Sequence, residues 1–221
     1  FGCGGIANDA HLPAYRKLGL PVAGVFDVRP EAAEKTAAKF GLGKVFDSVA
    51  EAAAVPDAVF DLAVPGQLLV QALKGLPEGV PVLMQKPMGD NLDQARAILS
   101  LCREKNLTGA VNFQLRFAPN MIALKQAIQD GLLGDLLDIE VRICLHTPWS
   151  SWSYLAGKPR LEMVYHSIHY LDLIRHLAGD PRGIYAKAVR DPRSPEMADT
   201  RSTVVLDYGD RLRCSLTLDH T

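Results

Sequence analysis

The first half of the chain alternates short apolar runs with amphipathic stretches. Val22 to Phe26, Val59 to Val64, Val82 to Met84 and Leu107 to Phe113 read as buried strands, too short and too uniformly apolar for helices. Between them, Ala10 to Leu18, Glu31 to Phe40, Leu68 to Leu76 and a segment opening at Asp90 or Asn91 read as helices. In the last of these, Leu92, Ala95, Leu99 and Cys102 recur at three or four residues and predict one apolar stripe facing a sheet. Strand and helix in turn predict a parallel, doubly wound α/β sheet.

The period changes near Arg116. A helix is predicted from Pro119 to Asp130, with Gly131 suited to a left-handed cap. Ile139, Val141, Ile143 and Leu145 then alternate with Asp138, Glu140, Arg142 and Cys144, the period of a strand with one buried face. Leu212, Cys214, Leu216 and Leu218 repeat it after a Gly209-Asp210 turn, with Thr203 to Tyr208 as partner strand. The expected organisation is a dinucleotide-binding domain over 1–116 and an α+β substrate and oligomerisation domain over 117–221, with a large, mostly antiparallel open sheet. The pattern predicts a strand before Phe1 and further strands after Thr221.

Composition narrows the class. Hydrophobic residues make up 48% and charged residues 22%, as in globular proteins with an ordinary core. A net charge of -1 argues against a nucleic-acid partner. No apolar run approaches the roughly 18 residues of a membrane span, so no membrane partner is expected. Cys3, Cys102, Cys144 and Cys214 are scattered without a Cys-x-x-Cys, which points to reduced thiols and the cytoplasm.

Three stretches carry candidate chemistry. Gly2-Cys3-Gly4-Gly5-Ile6-Ala7 is a Gly-x-Gly-x-x-Ala turn, in which glycines allow a pyrophosphate close to the backbone and the next helix offers free N–H groups. Asp27 closes the following strand 20 residues past Ala7, where an acid bonds the adenosine ribose hydroxyls. It favours NAD over NADP, whereas Arg29, if not a solvated loop charge, would pair with a 2′-phosphate. Gln85-Lys86-Pro87 ends the Val82 strand, and Pro87 stops the pairing. Lys86 thus lies at a strand's carboxyl end, where open α/β sheets bind ligands; the alternative is a lysine that snorkels out of a strand end. Tyr165, His169, Asp172 and His176 are spaced to share one helix face. That face reads as a catalytic one with His169 moving a proton, as a metal site, or as a satisfied polar seam between domains. Trp149 and Trp152, in a serine-rich segment, read either as a surface for the C–H face of a sugar or as caps on the sheet's core or a subunit contact.

Together these stretches resemble the glucose–fructose oxidoreductase, inositol dehydrogenase and rhizopine-catabolism (Gfo/Idh/MocA) oxidoreductases over nearly the whole chain. The resemblance rests on Gly2-x-Gly4-x-x-Ala7, Asp27, Val64-Pro65, Gln85-Lys86-Pro87, Gly131-x-x-Gly134 and His169-x-x-Asp172. It implies an N-terminal Rossmann domain, a C-terminal α/β domain with an open sheet, and NAD(P)-dependent oxidation or reduction of sugars, polyols and their derivatives. The lysine of the family's Glu-Lys-Pro maps onto Lys86, and its Asp-x-x-x-His pair onto Tyr165 and His169. The chain departs from the pattern at three points. Gln85 replaces an acid, so Lys86 loses a neighbour that would stabilise its charge. Tyr165 replaces an aspartate and suits a hydrogen-bond donor better than a base. No histidine follows Pro65.

The expected activity is hydride transfer between a secondary alcohol of a sugar-like substrate and NAD, with NADP as second cofactor. Gly2, Gly4, Gly5, Ile6, Ala7, Asp27, Arg29, Val64, Pro65, Gln85 and Lys86 are the expected cofactor contacts. Lys86, Arg116, Trp149, Trp152, Tyr165, His166 and His169 are the expected substrate contacts. Lys86 orients and polarises the reacting oxygen at the domain seam, His169 takes its proton, Tyr165 holds the substrate or His169, and no metal is used. A homo-oligomer, dimer or tetramer, is expected. The alternatives are an NAD-dependent glycosidase on the same scaffold, or a regulator that binds dinucleotide without turnover.

Overall fold

A computed structural model describes residues 1–220, apart from the side chains of Ser150, Ser151 and Ser153. The chain divides into two compact units, Phe1–Asn112 and Phe113–Thr221.

In the first unit a helical segment opens at Gly5, passes through a π-helical turn, Ala7–His11, and continues as α1, Leu12–Leu18. Then follow α2, Pro30–Phe40, α3, Val49–Ala53, β1, Phe60–Leu62, α4, Leu69–Lys74, β2, Pro81–Met84, α5, Leu92–Glu104, and β3, Thr108–Val111. The strands pair in parallel in the order β1-β2-β3, with Leu62 opposite Met84 and Met84 opposite Val111. Backbone bonds carry the sheet further. The Ala63 N–H donates to Phe1 O at 2.8 Å, Gly2 N–H to Phe26 O at 2.9 Å, and Val25 bridges Val45 in parallel. Lateral order is therefore 45, 25, 1–2, β1, β2, β3, the doubly wound order with its switch point beside Gly2.

The Val22 to Phe26 strand shrinks to that one bridge, because its neighbours on either side are only a few residues of extended chain. The stripe on α5 is rotated from the expected one. Ile98 and Cys102 are buried, whereas Leu92 is 62% and Leu99 43% exposed. Both stripes satisfy helical spacing, and the sheet selects Ile98, which packs with Leu62, Val82, Met84, Leu69 and Leu73. The Asn91 side chain caps α5 by accepting the Gln94 N–H at 2.9 Å. Two side-chain bonds hold the start of helix α3: Ser48 Oγ accepts the Glu51 N–H, and Glu51 Oε2 accepts the Asp47 N–H.

The second unit begins with a 3₁₀ turn, Gln114–Phe117, and α6, Pro119–Gln129. Strand β4, Asp138–Leu145, leads through a kinked 3₁₀ segment, Trp149–Leu155, to a π-helical turn, Met163–Ser167, and α7, Ile168–Ala178. Strands β5, Gly183–Val189, β6, Arg201–Asp207, and β7, Arg213–His220, complete a sheet of order β4-β7-β6-β5. Only β4 and β7 run parallel; the other pairs are antiparallel. One face is buried: Val204, Leu206, Cys214, Leu216 and Leu218 pack with Ile174 of α7, and Ile139, Val141 and Ile143 border them. Strand β5 escapes sequence reading because it is an edge strand whose residues are mostly exposed, so no alternation marks it.

The switch point sets a steric condition. Gly2 has φ +86°, and a Cβ there would lie 2.5 Å from the Ala63 carbonyl oxygen. Gly2→Ala is expected to cost about 2 kcal/mol or more, from left-handed strain and the clash together. Urea denaturation measures this; a loss below about 0.5 kcal/mol would show that the turn tolerates a side chain.

Candidate functional site

Each unit carries its own set of polar groups at the carboxyl ends of its strands or on its helix. In the first unit, Gly2, Cys3 and Gly4 form the turn into the helical segment. Val64 Cγ1 lies 3.1 Å from where a Gly2 Cβ would stand, so Val64 borders the turn. A Cβ on Gly4 would meet no atom within 4 Å: the turn is open on that side, as an approaching phosphate requires. Asn8 stiffens it. Its side-chain amide donates to Cys3 O at 2.9 Å, Gly4 O at 3.0 Å and Thr36 Oγ1 at 3.0 Å. Its sequence signal was faint, a small amide in the first turn after a glycine run.

Asp27 accepts the Cys3 N–H at 2.7 Å and the Arg29 N–H at 2.9 Å, one on each carboxylate oxygen. Burial works against its charge, but these two donors and the Arg29 guanidinium outweigh it and hold its pKa below the ordinary value. The Arg29 side chain is largely exposed, with Nε 3.5 Å from Asp27 Oδ1. Asp27 thus presents an ionised carboxylate beside the glycine turn, the group a ribose diol needs. The turn, the carboxylate and the free helix start fit a dinucleotide.

Gln85 and Lys86 follow β2. The Gln85 N–H still donates to Leu62 O at 3.0 Å, continuing the ladder one residue past the strand. The next loop runs close against residue 66, where a Cβ would lie 2.9 Å from Pro87 O. Burial lowers the Lys86 pKa to about 8. Behind Gln85 lies a network absent from sequence reading. The His11 ring faces Asp61 Oδ2 through Nδ1 at 2.7 Å, and Gln85 Nε2 and Asn112 Nδ2 through Nε2 at 3.1 Å each. Tyr15 donates its hydroxyl to Asp61 Oδ2 at 2.8 Å. The one available signal was Asp61 itself, a charge inside an otherwise apolar strand.

In the second unit Tyr165 is buried with Trp149, Leu155, Leu161 and Met197. The Trp149 indole N–H donates to His220 O at 2.9 Å, and its ring stands edge-on to His166 with centroids 5.3 Å apart. Trp152 lies at the kink and is more exposed. His169 stands edge-on to Phe113 at 6.4 Å. Arg116 donates two hydrogen bonds to Asp172, at 2.6 and 2.5 Å, forming a two-pronged ion pair that holds the 3₁₀ turn to α7. Tyr165 lies in the π-helical turn that runs directly into α7. Tyr165 packs in the cluster with Trp149, whereas Asp172 pairs with Arg116. Among the described residues no group of three His, Cys, Asp or Glu side chains forms a metal-type cluster.

A buried carboxyl in the second unit was also missed. Glu162 is fully buried and accepts the Ser167 hydroxyl at 2.9 and 2.8 Å; Ser167 and Ser202 lie 3.0 Å apart. His220 Nε2 is 3.9 Å away, and its ring lies 4.3 Å from that of His166. Burial pushes the Glu162 pKa up to about 6, against the hydroxyl donors and with a push from Asp199. Burial lowers that of His220.

The first unit thus has the strand order, glycine turn and acidic strand end of the Rossmann class. Residues 1–113 match the family model described as "Oxidoreductase family, NAD-binding Rossmann fold", and residues 121–221 match the GFO/IDH/MocA C-terminal domain. The chain belongs to the Gfo/Idh/MocA oxidoreductase family, and its first unit is an NAD-binding Rossmann domain. Levoglucosan dehydrogenase of Pseudarthrobacter phenanthrenivorans is 26% identical over 198 residues, covering 80% of this chain and 50% of that protein. D-apiose dehydrogenase of Rhizobium rhizogenes is 26% identical over 218 residues, covering 94% and 61%. The chain therefore spans roughly half to three-fifths of these relatives. An Agrobacterium radiobacter oxidoreductase solved with NAD+, L-tartaric acid and magnesium superposes with TM-score 0.84 at 23% identity, covering 100% of this chain and 65% of that one. The WlbA dehydrogenase of Bordetella pertussis, solved with NADH and UDP-GlcNAcA, gives 0.81 at 22%, covering 100% and 66%. No helix among the described residues is long and apolar enough to cross a membrane.

Glu162 yields a pH signature. Its folded pKa, about 6, lies above its ordinary value of 4.5, so the native state holds the proton more tightly than the unfolded chain. That contribution is full below the unfolded pKa and disappears as pH rises through about 6. Glu162→Gln, which keeps a neutral polar group in place, is expected to gain roughly 2 kcal/mol at pH 8 relative to its effect at pH 4. Melting temperatures at both pH values measure it; an equal effect at both would refute a neutral buried carboxyl.

Proposed function

We propose that this chain carries the cofactor- and substrate-binding parts of an NAD(P)-dependent dehydrogenase acting on a secondary alcohol of a sugar, polyol or related compound. The observation that carries this is within the first unit. The open glycine turn, ionised Asp27 and a lysine at the carboxyl end of β2 lie along one edge of a doubly wound sheet. Relatives named for levoglucosan, D-apiose and D-glucoside support the substrate class.

Asp27 binds the adenosine ribose, Gly2 to Ala7 and the helix start hold the pyrophosphate, and Val64, Pro65, Gln85 and Lys86 border the nicotinamide end. When bound, NAD supplies the acceptor for the hydride released from the carbinol carbon. Lys86, charged below about pH 8, polarises the carbinol oxygen. His169 accepts the hydroxyl proton as the C–H bond breaks and the carbonyl forms, so NADH and one proton are produced for each alcohol oxidised. Tyr165 acts as a hydrogen-bond donor rather than a base, since tyrosine normally titrates far above neutral pH. Trp149, Trp152, His166 and Arg116 supply substrate contacts in this proposal, Arg116 by presenting the edge of its pair with Asp172. The same proposal makes the protein a cytoplasmic homo-oligomer, dimer or tetramer, free of catalytic metal.

Asp27→Ala is expected to raise the Kd for NAD by about tenfold, the worth of a hydrogen bond to a charged group. The Kd for NADP should change less, because the same carboxylate repels a 2′-phosphate. Calorimetric titration of the full-length protein checks both; equal losses would remove Asp27 from ribose recognition.

Lys86→Met should lower kcat by about 10² or more, with NAD affinity little changed. If the Lys86 cation polarises the oxygen, wild-type kcat/KM falls as pH rises through about 8. Lys86→Arg should move that limb upward out of range, and His169→Asn should remove the acidic limb. Near-wild-type turnover in Lys86→Met, or an intact acidic limb in His169→Asn, would overturn the assigned roles.

A further inference from the structure

The buried network behind Lys86 has no part in the chemistry above, yet it ends on the Lys86 backbone. We infer that His11 is a positioning residue for Lys86, acting through the Gln85 amide and itself oriented by Asp61. The inference rests on the proposed role of Lys86 for its functional meaning, but not for its geometry.

Gln85 is 8% exposed, so its amide has to find protein partners. Its Oε1 accepts the Lys86 N–H at 2.8 Å, which turns its Nε2 toward His11. An amide nitrogen only donates, so His11 Nε2 is the acceptor. Asn112 Nδ2 approaches the same ring nitrogen at 3.1 Å and makes the same demand. The imidazole proton then sits on Nδ1 and goes to Asp61 Oδ2 at 2.7 Å. Every donor in the chain points one way, from the Lys86 N–H through Gln85 and His11 to the carboxylate. Burial works against the Asp61 charge, but donation from His11 and Tyr15 outweighs it and keeps its pKa below the ordinary value. The partners come from the π-helical turn, β1, and the chain just after β2 and β3, so the network ties the lysine to the sheet edge and the first helix together.

This arrangement places the acid an imidazole and an amide away from the lysine. With an amide at position 85, no carboxylate adjoins Lys86 in sequence to hold its charge, while Gln85 still fixes the backbone at the strand end. Burial then sets the lysine's proton affinity, and it remains low only while the network keeps Lys86 in place.

The test uses full-length protein with ¹³C-labelled lysine, the Lys86 signal being assigned by its loss in Lys86→Arg. Wild-type Lys86 should titrate near pH 8. His11→Ala and Gln85→Met should each raise that midpoint by about one unit or more, as the loop relaxes toward water. The double variant should shift it no further than either single one, because both act through one chain of bonds. In active protein His11→Ala should lower kcat roughly tenfold with the Kd for NAD unchanged, the mark of lost positioning. A residue that merely satisfies buried polar groups would lower the melting temperature and leave the Lys86 midpoint where it was; that result overturns the inference. Should His11→Ala fail to fold, Gln85→Met and the wild-type ¹⁵N histidine spectrum decide: an Nδ1–H tautomer is expected, and an Nε2–H tautomer refutes the chain. If no substrate is turned over, the function proposal fails, while the lysine titration still decides the positioning.

Discussion

The first unit depends on a backbone ladder that outlasts its strands. Ala63 donates to Phe1 O, Gln85 to Leu62 O, and Asn112 to Met84 O, each one residue past a regular strand. Parallel pairing brings the carboxyl ends of neighbouring strands to one edge, and these bonds carry the alignment into the loops. Gly2, Val64, Gln85 and Asn112 are consequently held there by main-chain geometry, and their side chains need only modest contacts to be placed. Gly2 is the point of least freedom, because the Ala63 carbonyl occupies the space a side chain would take. In the second unit the corresponding constraint is side-chain packing. Ile174 and its neighbours on α7 lie on the apolar face of the sheet, and the Arg116–Asp172 pair ties the preceding turn to the same helix.

Local chemistry made much of this legible in sequence. A glycine turn followed at fixed distance by an acid, and a lysine that stops an apolar run before proline, report on their surroundings through their neighbours alone. Contacts over long sequence separation did not. Asp61 joins His11 across 50 residues, Gln85 joins it across 74, and Asn112 across 101. No spacing rule connects such positions; only the charge inside an apolar strand hinted that a partner had to exist. Periodicity alone also left a choice open. On α5 two stripes fit the spacing equally, and packing of Ile98 on the sheet chose between them.

Two carboxyls, Asp61 half-buried and Glu162 fully buried, show how surroundings decide the state of one functional group. Asp61 receives an imidazole N–H and a phenol O–H on one oxygen, and these donors outweigh its burial, so the charged form prevails. Glu162 has comparable hydrogen bonding, from serine hydroxyls, but no solvent, and Asp199 adds a second negative charge nearby. Burial therefore wins, and its proton is held to about pH 6. The difference follows from desolvation, which grows steeply as the last water is removed, whereas each added donor contributes a bounded amount. Lys86 obeys the same balance with opposite sign: burial alone, with no neighbouring acid at position 85, brings an amine within reach of neutral pH. A glutamate at 85 would add an attractive charge beside the ammonium and hold its proton more firmly. Moving the acid back to Asp61, behind the His11 ring, keeps the strand end anchored while leaving the lysine's proton labile.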